Sequence, residues 1–224
     1  VEREIHQRNR NLLVAATGTG KTMIAAFDFK RIRAENPSAR LLFIAHRKEI
    51  LEQAQDTFRA VLKDHNFGSI WADGNEPSSY SEVFASVQTS NNRIESFSNT
   101  HSKEYYDVVI FDEVHHIQAS SYRKILDYFK PKVLLGLTAT PERMDGKDIV
   151  EDFGGRISAE IRLPEALKKG LLSPFHYFGV SDTVDISKVK WSSGRYDINE
   201  LTQIYTGNDV RLSCILHNLD AYLT

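Results

Sequence analysis

Five short, nearly uninterrupted apolar runs constrain this chain more than anything else in it: residues 12–16, 41–45, 83–88, 108–111 and 133–138. Such runs read as buried strands, and strands without polar alternation suit a parallel sheet covered on both faces. The segments between them carry helical spacing. Residues 22–34 predict a helix ended by Asn36-Pro37, because proline drives the preceding residue out of helical geometry. Residues 48–62 place Ile50, Ala54, Phe58 and Val61 on one face of an amphipathic helix. Residues 122–129 predict a shorter helix closed by Pro131. Strand–helix–strand alternation of this kind builds βαβ units and a three-layer α/β fold with a mainly parallel central sheet.

The chain has 224 residues, enough for one large domain or for one domain and part of another. Its 41% apolar share fills a packed core, and no run of about 18 apolar residues is present to span a membrane. The opening Val1-Glu2-Arg3-Glu4 lacks the basic-then-apolar plan of a secretory signal, and with no initiator Met the chain reads as an excised piece. A single cysteine, Cys214, excludes an internal disulfide and a Cys-cluster zinc site, and fits a reducing cytoplasm. The formal net charge of −2 provides no basic footprint, so an argument for nucleic acid has to come from motifs.

Beyond residue 160 the character changes. Pro164-Glu165-Ala166-Leu167-Lys168-Lys169-Gly170 has proline where a helix starts and glycine where one stops. Residues 175–180 predict an edge strand, residues 181–195 a linker, and residues 198–205 and 210–223 two further helices. The expected division is a domain over 1–180, followed by a linker and helices over 181–224.

Ala15-Ala16-Thr17-Gly18-Thr19-Gly20-Lys21-Thr22 matches the phosphate-binding P-loop pattern, with Ala in place of its first Gly. Gly18 and Gly20 let successive backbone N–H groups turn inward around a phosphate, flanked by Thr17 and Thr19. The following helix adds its positive N-terminal end. Lys21 would reach the β- and γ-phosphates of ATP, and the Thr22 hydroxyl would ligate magnesium. An apolar strand before the loop and a helix after it supply the context that the pattern needs.

Val108-Val109-Ile110-Phe111-Asp112-Glu113 is an apolar strand that ends in two carboxylates. It would deliver them to the edge of the sheet where the loop lies, on a neighbouring strand. Asp112 would hold Mg2+ (through water, since this ion keeps much of its hydration shell), and Glu113 would orient or deprotonate the attacking water. Adjacent histidines such as His115-His116 rarely share one ligand sphere, which argues against zinc.

Asp112-Glu113-Val114-His115 resembles the DExH form of the box that names the superfamily-two DEAD/DEAH helicases. Leu137-Thr138-Ala139-Thr140-Pro141-Glu142-Arg143 resembles that superfamily's Ser/Thr-Ala-Thr coupling segment. Phe43-Ile44-Ala45-His46-Arg47-Lys48-Glu49-Ile50-Leu51 resembles motif Ia, and Ala85-Ser86-Val87-Gln88-Thr89 a later nucleic-acid-contacting motif. All five stand in the family's order. Residues 136–143 with a following Asp and Phe, then Leu163-Pro164-Glu165-Ala166-Leu167, resemble the group of type I and type III restriction enzyme helicase subunits.

The resemblance implies a RecA-like P-loop NTPase domain, ATP and Mg2+ as cofactors, and DNA in preference to RNA as partner. It implies that Arg47, Gln88 and Thr89 touch the phosphate backbone of one strand. Thr138 and Thr140 would link the γ-phosphate site to the strand-binding face, with His115 bridging to them. Each has a plainer reading: Arg47 as a solvated residue at a helix start, Thr89 as a helix cap, the threonines as turn residues before Pro141, His115 as packing. A second RecA-like domain, which supplies an arginine finger in the family, is expected in the full-length chain, with a restriction or nuclease module as a further partner. Gln7 is too near Lys21 to serve as the family's adenine-contacting glutamine. Alone, the chain is expected to bind ATP weakly and hydrolyse it very slowly. The competing readings are a motor subunit of a restriction complex, a non-motor P-loop nucleotide switch and, remotely, a small-molecule kinase.

Overall fold

Within each apolar run, successive side chains leave the strand on opposite faces, and both faces are filled. Leu12, Val14, Leu42, Ile44, Val109 and Phe111 enter one hydrophobic cluster. Leu13, Ala15, Leu41, Phe43, Val108 and Ile110 enter the other. A two-sided demand for apolar surface explains why these segments show no polar alternation.

The computed structural model describes residues 9–116, 120–141, 149–177, 184–192, 195–206 and 209–222. Gln7, Glu142, Arg143 and residues 178–183 lie outside the described residues. In chain order the elements of the first unit are β1 (Arg10–Ala15), α1 (Lys21–Glu35), β2 (Leu41–Ala45), α2 (Lys48–Leu62), β3 (Ser69–Trp71), β4 (Glu82–Ser86), α3 (Val87–Ser98), β5 (Val108–Phe111), α4 (Ser120–Tyr128), β6 (Val133–Thr138), β7 (Ala159–Ile161) and α5 (Leu163–Lys168). The seven strands form one parallel sheet in the order β3-β4-β2-β5-β6-β1-β7. Helices α1 and α2 cover one face through Ala25, Phe29, Leu51, Ala54 and Phe58. Helices α3 and α4 cover the other through Ile94, Phe97, Tyr122 and Ile125.

Several local expectations need correction. The third run ends at Ser86, not Gln88, and the chain turns at once into α3, an unexpected helix. Ser86 is the cap: its hydroxyl accepts the Thr89 backbone N–H at 3.1 Å, so Thr89 sits in the first turn instead of capping it. Strands β3 and β7 were not expected either. Each has three residues, too few to show a period. On α2 the core residue is Leu51, while Ile50 is only partly buried. Residues 174–177 form no strand.

Gly136 in the middle of β6 has a packing reason. A Cβ there would lie 2.8 Å from two ring atoms of Phe153, a fully buried side chain of the segment leading into β7. The bidentate pair Arg123–Asp152, at 2.7 and 2.8 Å, anchors the same segment to α4.

The chain divides into two compact units, Val1–Ser173 and Pro174–Thr224. The second contains a short antiparallel pairing of β8 (Trp191–Ser192) with β9 (Arg195–Tyr196), across the end of the stretch expected to be a linker. Two helices follow, α6 (Ile198–Tyr205) and α7 (Asp209–Tyr222). Asp197 caps α6, accepting from the N–H groups of Asn199 and Glu200. Among the described residues no helix is long and apolar enough to cross a membrane.

Candidate nucleotide site

All strands of the sheet run the same way, so their C-terminal ends share one edge, where α/β folds bind ligands. The segment 16–20 leaves that edge after β1. Gly18 and Gly20 have φ of 84° and 85°, left-handed backbone that a side chain would strain, and Gly20 is the N-cap of α1. The loop is held from below: the Thr19 hydroxyl donates to the Ala16 carbonyl at 2.6 Å and the Thr19 N–H to the same oxygen at 3.2 Å. No side chain caps α1, and its first turn holds no acidic residue. The N–H groups at its start therefore remain for an anion, and the helix dipole favours one there.

Lys21 is 8% exposed, and its Nζ donates to the Ala15 carbonyl at 3.1 Å across the foot of the loop. A buried ammonium with one carbonyl partner keeps two further N–H donors for phosphate oxygens. Thr22 follows, partly exposed.

Asp112 and Glu113 leave the same edge from β5. The two strands are not neighbours, because β6 lies between them. They nevertheless converge: Thr17, Gly18, Gly20, Lys21, Thr22, Asp112 and Glu113 line one cavity of about 480 Å³, within the range of nucleotide and cofactor sites. Burial pushes the Asp112 carboxyl up to about 6, the adjacent Glu113 charge adds to the rise, and the Glu113 N–H and Lys21 oppose it. The acid wall is thus short of positive charge. A hydroxyl and a carboxylate are hard oxygen ligands, so Thr22 and Asp112 fit magnesium in donor chemistry and in charge.

Glu113 has φ of 51°, a conformation that costs a non-glycine residue on the order of 1 kcal/mol or more. The sharp turn carries the chain into a short 3-10 segment, Val114–His116, and brings His115 back over the end of β6. There Nδ1 of His115 lies 3.1 Å from the Thr138 hydroxyl and 3.2 Å from a Glu113 carboxylate oxygen. The Thr138 hydroxyl donates to the Thr140 carbonyl at 3.0 Å and accepts the Thr140 N–H at 3.1 Å. With its hydrogen committed, Thr138 is an acceptor toward His115, so the ring carries its proton on Nδ1 and shares it between Thr138 and Glu113. By these distances His115 joins Glu113, an acid of the cavity, to the segment after β6.

Arg47 is the exposed N-cap residue of α2, while Gln88, exposed, and Thr89, partly exposed, stand in the first turn of α3. Their strands are direct neighbours, with Ala45 opposite Ser86. Arg47 and the pair Gln88–Thr89 therefore follow adjacent strands at the C-terminal edge of the sheet, on helices that cover its opposite faces. Met23 escaped sequence reasoning as a site residue, and so did four cavity residues on α2: Ile50, Gln53, Ala54 and Thr57. Their i, i+3, i+4, i+7 spacing marked one helix face, but only the tertiary fold shows which neighbour that face meets.

The profile of the family described as "Type III restriction enzyme, res subunit" matches residues 1–143. The chain belongs to that family. Among its relatives this res-family chain is 28% identical over 208 residues to the type I restriction enzyme EcoAI endonuclease subunit of Escherichia coli, covering 89% of the chain and 25% of that protein. It is 29% identical over 141 residues to the DNA 3'-5' translocase XPB2 of Sulfurisphaera tokodaii, covering 63% of the chain and 29% of the relative. The chain thus spans about a quarter of the length of these two relatives.

Two solved structures share the res-family chain's fold. One is a nuclease-deletion mutant of the type ISP restriction-modification enzyme LlaGI in complex with a DNA substrate mimic, with a TM-score of 0.60, 16% identity and coverage of 76% of this chain and 20% of that one. The other is the Pyrococcus furiosus Hef helicase domain, with a TM-score of 0.58, 22% identity and coverage of 71% and 37%. The three-layer architecture is the RecA-like fold of helicase domains.

Proposed function

We propose that this chain is the ATP-binding motor domain of an ATP-dependent DNA helicase or translocase. The observation that carries the reading is the meeting of Lys21 with Asp112 and Glu113 in one cavity, although β6 separates their strands. Phosphoryl transfer to water asks the protein mainly for positioning and charge neutralisation. The loop N–H groups and Lys21 would hold the β- and γ-phosphates. Glu113 would orient the attacking water and accept its proton as the bond between the terminal phosphorus and the bridging oxygen breaks and ADP leaves. Thr22 and Asp112 would hold magnesium, which when bound neutralises phosphate charge.

Movement along a strand needs the cleavage to be felt elsewhere. The hydrogen bonds from Glu113 through His115 to Thr138 and Thr140 support such a link. Arg47, Gln88 and Thr89 would grip the phosphate backbone of one strand, which positions it without reading its sequence. DNA is favoured over RNA because the EcoAI, XPB2 and LlaGI relatives are restriction enzymes or a DNA translocase. A second RecA-like domain in the full-length protein would complete the motor, with residues 181–224 leading towards it and the ATP domain covering 1–180. A cytoplasmic protein fits its lone cysteine.

Membership of the res-subunit family favours a narrower version, the motor subunit of a restriction complex with a nuclease module. A non-motor nucleotide switch is disfavoured, because it needs neither the His115–Thr138 contact nor the exposed residues opening α2 and α3. The deciding measurement is ATP hydrolysis by the full-length protein with duplex DNA, single-stranded DNA and RNA compared side by side. Stimulation by DNA, lost in Lys21→Ala, is expected. Nucleic-acid binding indifferent to nucleotide, with no hydrolysis, would replace the motor with a switch.

A further inference from the structure

Helix α2 presents one stripe to the nucleotide cavity: Ile50, Gln53, Ala54 and Thr57. Two of these are apolar. The Thr57 hydroxyl donates to the Gln53 main-chain carbonyl at 2.8 Å, so its hydrogen is used inside the helix. Gln53 differs. Its side chain is exposed, and among the described residues no hydrogen bond holds its amide. Gln55, two positions on, shows what a structural glutamine looks like here: it is buried and donates to the Gly68 carbonyl at 2.8 Å, beside β3. Gln53 does no comparable work for the fold.

The position of α2 says which part of a nucleotide Gln53 would meet. The helix leaves β2, whose direct neighbour is β5, with Ile44 opposite Phe111. Its first turns therefore stand on the side of the cavity that holds Asp112 and Glu113, with β5 and β6 between β2 and the strand of the phosphate loop. On that side the acids can only accept hydrogen bonds. Gln53 brings a neutral donor.

We propose that Gln53 senses the terminal phosphate, its side-chain amide donating to a γ-phosphate oxygen so that the site distinguishes a nucleoside triphosphate from a diphosphate. A neutral amide suits this place. A second ammonium would strengthen binding of both nucleotides, and a carboxylate would repel the third phosphate beside two existing acids. The same helix has Arg47 as its N-cap, so a contact at Gln53 and a strand contact at Arg47 would act on one rigid element. The proposal rests on the nucleotide-motor reading.

The test is equilibrium binding of ADP and of a slowly hydrolysed ATP analogue, with magnesium, to the full-length protein carrying Gln53→Ala or Gln53→Glu. Thermal melting checks that both variants fold. Loss of one charge-assisted hydrogen bond predicts that Gln53→Ala weakens the analogue about tenfold. ADP affinity should stay within about twofold, and Gln53→Glu should weaken the analogue further. An unchanged ATP-to-ADP preference in Gln53→Ala overturns the proposal, as does equal loss of both nucleotides. If the wild type binds neither nucleotide, or if Lys21→Ala binds both normally, the nucleotide reading itself falls and takes this assignment with it. That outcome is distinct from a preserved preference in a protein that does bind.

Discussion

Replacing Asp112 by asparagine should make the ligand-free protein more stable at neutral pH while destroying its chemistry. The carboxyl is 6% exposed and is pushed from its ordinary 3.8 to about 6, chiefly by burial and then by the Glu113 charge. A carboxyl whose folded value lies above its unfolded value binds more protons in the folded state. Its penalty is absent below about pH 4, grows through the window between about 4 and 6, and is complete above that. At about 1.4 kcal/mol per pH unit, the displacement puts roughly 3 kcal/mol of destabilisation on the wild type at pH 7, an upper bound for what Asn recovers. Asn keeps the geometry, since its side-chain oxygen still accepts the Glu113 N–H that Asp112 accepts at 3.0 Å. The assay is urea unfolding of both proteins from pH 4 to pH 8, without nucleotide or divalent metal. The gain of Asp112→Asn should be near zero at pH 4 and level off above pH 6. A variant that is less stable at pH 7, or a difference that does not change with pH, would refute the argument. Magnesium and nucleotide should narrow the gap, since they neutralise the wild-type acid and not the amide.

Further outcomes follow from single contacts. Glu113→Gln in the full-length protein should leave ATP binding nearly intact and lower turnover by about a hundredfold or more, as measured by steady-state hydrolysis beside nucleotide binding; unchanged turnover would remove Glu113 from its role. Ser86→Ala removes the cap of α3 and should cost about 1 kcal/mol in chemical denaturation. Gly136→Ala drives a methyl to 2.8 Å from the Phe153 ring and should cost about 1–3 kcal/mol, with Phe153→Leu relieving part of the loss. Arg47→Ala should weaken DNA binding evenly across sequences and reduce the salt slope by about one, read from affinities at several salt concentrations.

Much of the parallel sheet was legible because it needs apolar side chains on both faces. Residues 41–45, 108–111 and 133–138 are strands with the expected bounds, and 48–62 is the expected helix. Elements escaped where the physics is local and brief. The three-residue strands β3 and β7 have no period to read, and α3 hid behind an apolar run that continued past its cap at Ser86. The polar stretch 181–195 looked like a linker because a two-residue pairing leaves almost no pattern.

The sequence by itself determined where a glycine-rich loop with its lysine and a strand-end acid pair stand as candidates for one site, since glycine, lysine and carboxylate chemistry is written in residue type and spacing. It also determined that Arg47 and Thr89 follow strand ends, whereas Gln88 read as the last residue of a strand and only the structure put it in α3. Strand order belonged to the tertiary structure, which placed β6 between β1 and β5 and still brought Lys21 to Asp112. The bond from His115 to Thr138 and the place of Gln53 on the cavity wall were decided there too. Those contacts join residues far apart in the chain, and which strand neighbours which is settled by packing the whole sheet, not by any local run of residues.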